Sequence, residues 1–521
     1  MNLTKTLQTM IDGAIGLVSP TRALRRQLAR DAAAAADKFS SYTGATYNRP
    51  RSNWTVSPGS ADADLLPELD TLRERSRDLI RNDPHAASIA QSFVDNVVGN
   101  GIRPQSLATA DEMGVSQDQA SDIRGACELA WSRWAEKCDS TGHDDIYGIQ
   151  ALVARQLLTN GEVFVIPTMV EDVGRPYALA LEVIEADRCE SQNGADNPNG
   201  RANLRAGIEL GRRGQPLAYW IRVSHPGDGI YERRTKRKWR RYAAKSPTGR
   251  PNILHLMNTM RPGQTRGVPP LSPALTAFRD LGSFMEATLI RERVSACFSM
   301  IVTTDDPYSA AISRADTTRN SQRINSLTPG TVEYLNPGES VQFGNPTTTG
   351  ATFDPFVERN LRAIGASLGL PLELVTNDFS KTNYSSARAA LLEARRMFGR
   401  HQRYLSTRFL QPIYEMLIEE AYLRGEIPIA DFDRLEFQLT RTRWVPPGWS
   451  WVDPLKEVQA SAAAIELGVS TLAEEAASQY GRDWEEIIEQ RAMERRRQAE
   501  IEKAMGLAPA NPEEEAASGE Q

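Results

Sequence analysis

The chain has 521 residues, 40% of them hydrophobic, and its 61 Lys and Arg against 67 Asp and Glu give a formal charge of -6. That length exceeds what one hydrophobic core serves, so several packed units are expected, and the acidic balance argues against a tight DNA binder, whose phosphate contacts come with a basic excess. Cys127, Cys138, Cys189 and Cys297 fit neither a disulfide framework nor a zinc spacing, the start MNLTKTLQTMIDGAIGLVSP is too weakly apolar for a signal peptide, and no apolar run reaches the roughly 18 residues that cross a bilayer, so a non-membrane, intracellular product with reduced thiols is expected.

Residues 1–60 read as an arm. TRALRRQLARDAAAAADKF has helical propensity, and the Tyr, Gly, Asn and Pro-rich piece after it cannot continue a helix. Arg22, Arg25, Arg26 and Arg30 suit either a solvated helix face or a nucleic-acid contact. From Asp64 the pattern predicts two helices broken at Asp83 and Pro84 and stopped by Gly99 and Gly101, then another from about Gln117 to Glu136 with Trp131 and Trp134 on its core face. A further helix spans Gly148 to Asn160. The period then changes: EVFVIPTM, YALALEVIE, AGIELG, LAYWIRV and NILHLM are short, β-rich and punctuated by Gly, Pro and Asn, which predicts a sheet packed on the preceding helices. Within this mixed region lies ERRTKRKWRRY, whose Arg233, Arg234, Lys236, Arg237 and Lys238 flank a Trp. The cluster could grip phosphates or meet an acidic neighbouring subunit.

Pro269, Pro270 and Pro273 open a helix with Leu271, Leu275, Phe278, Leu281, Met285 and Leu289 on one face. The stretch 303–352 is loop-rich, with strand candidates TVEYL and SVQF separated by Asn336, Pro337 and Gly338. Phe353, Phe356, Leu361, Ile364 and Leu368 form the next helical face, ended by Gly369 and Pro371. The polar loop LVTNDFSKTNYSS then leads into a long helix, carried by Ala387, Leu391, Ala394, Phe398, Leu405, Phe409 and Ile413 and capped by Asn383, Ser385 or Ser386. At 1.5 Å per residue it would be about 55 Å long, and Pro412 should kink it. Leu435 to Trp444 looks like a returning strand, three helices follow from Pro454, the last two with Ser470 and Asp483 as N-caps, and APANPEEEAASGEQ is an acidic tail.

No catalytic constellation assembles from these residues. Gly365, Ser367 and Gly369 match G-x-S-x-G, but a nucleophile elbow needs a strand before it, and a helical pattern stands there instead. No Gly is followed by Lys, so a Walker A loop is absent. His85, His143, His225, His255 and His401 are isolated, Cys138 with His143, Asp144 and Asp145 makes only a faint metal grouping, and Asp305 with Asp306 reads as an exposed turn rather than a two-metal nuclease site. Neither a metal nor a cofactor is implied.

Several stretches in order are similar to the lambda-type portal proteins of tailed bacteriophages: RSRDLIRNDPHAASIAQSFVDNVVGNGI, LTNGEVFV, HLMNTMRPGQTRGVPPLSP, LNPGESVQF and NYSSARAALLEARR, within a match running from about Asp64 to Ala492. The resemblance implies a mainly helical α+β portal fold assembled as a ring of about twelve copies at one capsid vertex of the virion, built in the host cytoplasm. It implies an arm (1–60), a wing of mixed α/β structure (61–270), a stem helix (271–298), a clip (299–350) and a second stem helix (351–370). A tunnel loop (371–385), a tunnel helix (386–428), a return to the wing (429–453), a helical crown (454–506) and a disordered tail (507–521) would follow.

The implied partners are the terminase large subunit, head completion and tail connector proteins, major capsid and scaffold proteins, and double-stranded DNA without sequence specificity. Asn377, Asp378, Lys381, Asn383 and Tyr384 would face the DNA channel, and Arg388 and Arg395 could contact DNA or a neighbouring subunit. Two other classes remain in view. A nucleic-acid-processing enzyme would need the metal-dependent chemistry that no motif supplies, and a non-channel head or tail structural protein would not need the helix, loop, helix device.

Overall fold

The computed structural model describes Leu28 and residues 58–191, 203–228, 238–297, 301–304, 339–342, 350–448, 454–481 and 483–504. The expectations for the arm, Arg233 to Arg237, Asp305 with Asp306, TVEYL and the acidic tail fall outside these residues. The compact unit begins at Ala61. It opens with α1 (Ala61–Leu65), α2 (Leu69–Asn82) and α3 (Pro84–Val97). Proline bars its predecessor from helical dihedrals, so Asp83 is extended, and its carboxylate caps α3 by accepting from the His85 and Ala86 amides at 2.9 Å. Ile89, Ala90, Phe93 and Val97 put α3 at the centre of the main core.

After α3 come β1 (Arg103–Ser106), α4 (Ala110–Met113), α5 (Gln117–Ala135) and α6 (Ile146–Thr159). Ser116 and Gln119 form a reciprocal capping box on α5. Trp131 and Trp134 are buried as expected, and the Trp134 indole donates to the Leu179 carbonyl at 2.8 Å. The faint metal grouping resolves into a turn and a cap. Asp139 gathers the Thr141 and His143 amides, Asp145 caps α6 through the Gly148 amide, and the Cys138 thiol is buried with its pKa pushed up by desolvation.

The strands β2 (Glu162–Met169), β3 (Leu179–Ile184), β4 (Asn203–Arg205), β5 (Ile208–Leu210), β6 (Pro216–Arg222), β7 (Trp239–Ala243) and β8 (Leu254–Met257) make two antiparallel sheets, ordered β3-β2-β8 and β4-β5-β6-β7. Phe164, Ile166, Tyr219 and Ile221 form a second, smaller core between them. A polar cluster locks this region to the helices. Glu162, fully buried, takes Arg73 at 2.5 Å, Arg266 Nε at 2.6 Å, the Gly267 amide at 2.6 Å and His255 Nε2 at 2.9 Å. Arg266 spends its remaining donors on the carbonyls of Ala186, Cys189 and Ala206. Burial alone would raise the Glu162 pKa, but the two guanidiniums override it and hold the carboxyl well below its usual range. Gly161 makes the approach possible: at φ +79° its backbone lies so close to residue 268 that an added Cβ would sit 2.2 Å from the Val268 carbonyl carbon.

The remaining elements are α7 (Leu275–Cys297), β9 (Ile301–Thr304), β10 (Glu339–Gln342), α8 (Gly350–Leu368), α9 (Leu372–Thr376), α10 (Tyr384–Leu405), α11 (Gln411–Leu423), α12 (Phe432–Leu439), β11 (Thr442–Val445), α13 (Pro454–Glu466), α14 (Leu472–Glu475) and α15 (Trp484–Ala504). Three expectations are corrected here, and the SVQF strand candidate finds its partner. The polar loop is shorter than 371–385, because residues 372–376 are the helix α9, whose Val375 is buried against the core. Residues 435–439 belong to a helix that buries Phe432, Leu435 and Leu439, and only 442–445 form the returning strand, antiparallel to β1. The SVQF segment pairs with β9 through β10. Thr471, not Ser470, caps α14, since only from position 471 does the side chain reach the amide of Glu474 while Glu474 reaches back.

Pro412 distorts the long helix in a particular way. A π-helical turn, Ser406–Leu410, precedes it, and the proline then occupies the first turn of α11. The wider turn accommodates both the missing donor and the ring. Just before this turn, His401 stands edge-on to Phe93 at 5.0 Å, and burial, aided by the nearby Arg400, lowers its pKa to about 4. The folded chain therefore keeps this imidazole neutral at pH values where the unfolded chain, near 6.5, protonates it. Its contribution is complete above pH 6.5 and is lost as the pH falls toward 4, about 3 kcal/mol in all. Urea unfolding of His401→Phe across that window is expected to show a correspondingly flatter pH dependence than the parent.

Candidate functional site

The longest helical element and the loop at its head form the site. The helix α8 ends in a Schellman motif: Gly369 takes φ +72°, the Leu370 amide donates to the Gly365 carbonyl at 2.8 Å, and the Gly369 amide donates to Ala366 at 3.2 Å. The Ser367 hydroxyl donates to the Ile364 carbonyl at 2.7 Å, which places the G-x-S-x-G serine in a helix end and not in a strand-to-helix elbow. After Pro371 the chain makes α9, packed against α3, and leaves it through Asn377 at φ 54°, a left-handed conformation that Asn tolerates.

The exposed loop runs from 377 to 383. Asn377 Nδ2 donates to Ser88 Oγ at 3.0 Å, which ties the loop's entry to α3. Asp378 accepts the Ser380 amide at 2.9 Å, and hydrogen bonds from Ser380 lower its pKa. The Lys381 ammonium pairs with Glu358 of α8, which raises the lysine pKa and lowers that of the carboxylate. Thr382 donates to Glu373 at 2.9 Å. Asn383 then closes the loop and opens α10, its side chain accepting the Ser386 amide at 2.9 Å, so of the three expected caps it is Asn383 that serves. The loop carries one acid and one base and no net charge.

Asn377, Asp378, Lys381 and Asn383 thus lie together, and Tyr384 is the first residue of α10. Arg388 is exposed one turn along, while Arg395 is half-buried, lining a cleft of about 260 Å³ with Asp95, Leu391, Phe398 and Pro447. Lys238 is exposed just before β7, far along the chain from the loop. Two residues of consequence escape sequence reasoning. Phe379 is 43% exposed at the loop tip, where an aromatic among polar residues was the available signal. Glu162 heads an otherwise apolar strand, and a charge there asks for a buried cation.

Behind the loop, α10, the π turn and α11 continue for about 60 Å at 1.5 Å per residue. Their inner face, from Ala394 and Phe398 through Phe409, Ile413, Tyr414 and Leu417, is buried in the main core. Tyr414 and Trp131 meet Trp444 of β11 at ring-centroid distances of 6.0 and 5.5 Å. The loop is therefore presented by a rigid rod whose far half is embedded in the mixed domain.

The profile described as phage portal protein, lambda family, matches residues 47–402. This chain belongs to that family. The portal chain is 27% identical over 480 residues to the portal protein of Escherichia phage N15, covering 85% of this chain and 88% of that one. It is also 27% identical over 488 residues to portal protein B of Escherichia phage lambda, covering 88% of each. A chain in the neck of a native GTA particle computed with C12 symmetry superposes with a TM-score of 0.40 at 13% identity, covering 77% of this chain and 92% of that one. As a portal protein the chain is a virion component of a capsid vertex, and its architecture is mainly helical α+β. The family is a structural one. Among the described residues no helix is long and apolar enough to cross a membrane.

Proposed function

We propose that about twelve copies close into a ring around a DNA passage and that residues 377–383 line its narrowest part. The observation that carries this reading is the loop itself, exposed, with no net charge, its one lysine held by Glu358, and mounted on a rod anchored in the core. DNA that must slide through a channel cannot be held by many phosphate contacts, since each adds affinity through counterion release. A neutral polar loop meets that requirement, and an arginine cluster would not.

In this reading the mixed domain, to which β11 returns, is the wing, and α7 with α8 is the stem. The segment from 299 to 350 is the clip that meets the terminase large subunit and later the head completion and tail connector proteins. The helices from α13 onward form the crown inside the head, near scaffold and major capsid proteins. The chain works as a conduit for packaging and ejection without catalysis of its own, and Arg388 and the basic run around Lys238 meet DNA or a neighbouring subunit.

Deleting residues 377–381 tests the assignment. Rings are expected to form normally while packaged DNA is poorly made or poorly retained, measured as encapsidated DNA per particle. Normal packaging and retention would contradict it.

A further inference from the structure

The rod that carries the loop is charged along its solvent side. Between Ser385 and Arg408 the sequence places six arginines against one acid, Glu393. Ala394, Phe398 and Leu405 are buried in the main core, so the opposite side of α10 is the one left to solvent. Arg396, Arg400 and Arg403 are exposed at spacings of four and three, which sets them above one another on that side, and Arg408 follows within the π turn, exposed beside Thr407. Arg396 pairs with Glu393 at 3.0 Å. The guanidiniums of Arg400, Arg403 and Arg408 have no ion pair among the described residues. At 1.5 Å per residue the run begins about 20 Å behind Asn383 and extends for about 18 Å.

We infer that this run is a phosphate-contact surface, which holds double-stranded DNA in the passage behind the constriction by charge and without reading its sequence. An interface with a second protein is depleted of charge at its centre and built there on apolar and aromatic side chains. From Arg396 to Arg408 the exposed residues are the four arginines and Thr407. A duplex needs no apolar centre: its phosphates place about ten charges along 18 Å of axis, and each guanidinium that meets one releases condensed counterions. The inference rests on the ring reading above and divides the work along the rod. The neutral loop lets DNA pass where the passage is narrowest. The arginines stand further back, where that reading makes the passage wider and a duplex reaches those of only a few copies at a time, so they retain DNA while leaving it able to slide.

Two chains test it, one combining Arg400→Gln, Arg403→Gln and Arg408→Gln, the other Arg400→Lys, Arg403→Lys and Arg408→Lys. Binding of a fluorescent DNA duplex to each purified ring is followed by anisotropy between about 50 and 200 mM salt, with native mass confirming that the rings are intact. If three phosphates are met, the parent's affinity falls on the order of 40-fold more over that range than that of the glutamine chain. The lysine chain keeps the charge and should follow the parent. Equal salt dependence in the parent and the glutamine chain overturns the inference, as does a parent ring that binds no duplex at the lowest salt. Loss of the ring in the glutamine chain alone also overturns it, since the arginines then serve a neighbouring copy. If the parent itself forms no ring, the ring reading fails and takes this inference with it.

Discussion

Glu162→Ala is expected to destabilise the mixed domain by about 3–5 kcal/mol, because it leaves buried guanidiniums without their counter-ion. Arg73 and Arg266 are almost fully buried, and both rest on Glu162 Oε1. The other carboxylate oxygen holds the Gly267 amide and His255. One side chain therefore joins α2, β2, β8 and the turn that leads into α7, and its loss breaks all four connections at once. Glu162→Gln, which keeps the shape but loses the charge, should fall between the parent and the alanine variant. Urea unfolding of the purified chain measures both, and a loss under about 1 kcal/mol for the alanine variant would show that water or neighbouring acids neutralise the arginines instead.

Phe398→Ala is expected to cost about 3–5 kcal/mol, the usual range for emptying a buried aromatic site. Phe398 is 1% exposed and meets Phe93 of α3 edge to face at 6.5 Å, two turns before the π turn. The cavity would open where the rod leaves the core. The loop at the head of α10 should consequently exchange its amide hydrogens faster, with α9 following because it packs on the same α3. Phe398→Leu, which nearly conserves volume, should cost under about 1.5 kcal/mol and leave loop exchange close to the parent's. Equal exchange in all three proteins would separate the loop from this packing site.

Much of the fold was legible where a local rule sets it. Pro84 fixes the extended Asp83 and thereby the start of α3, Gly369 with Leu370 terminates α8, and Asn383 caps α10 from its own loop. The apolar and β-branched runs from Glu162 to Met257 mark their strands because half-buried pleats demand that composition. What escaped depends on tertiary partners or on competing local signals. The five residues of α9 are too few to show a period, and their helix is held by burial of Val375. In α12 the Phe432, Leu435 and Leu439 spacing is helical, but it abuts a true strand at 442–445 with no breaker between, so the two read as one extended segment. Thr471 and Ser470 are adjacent and equally able caps, separated only by register with Glu474. The Glu162 cluster joins residues 89 and 104 positions apart, which no periodicity reports, although Glu162 and Arg266 lie inside the stretches LTNGEVFV and RPGQTRGVPP that carry the family resemblance.

The central claim, that copies of this chain close into a ring with residues 377–383 at the constriction, is tested most directly by electron cryo-microscopy of the purified native particle viewed down its axis. The account predicts a closed ring of about twelve copies, with a central hole whose narrowest point is formed by the loop at the head of α10. A stable monomer or dimer, or a ring in which that loop faces away from the hole, would contradict it.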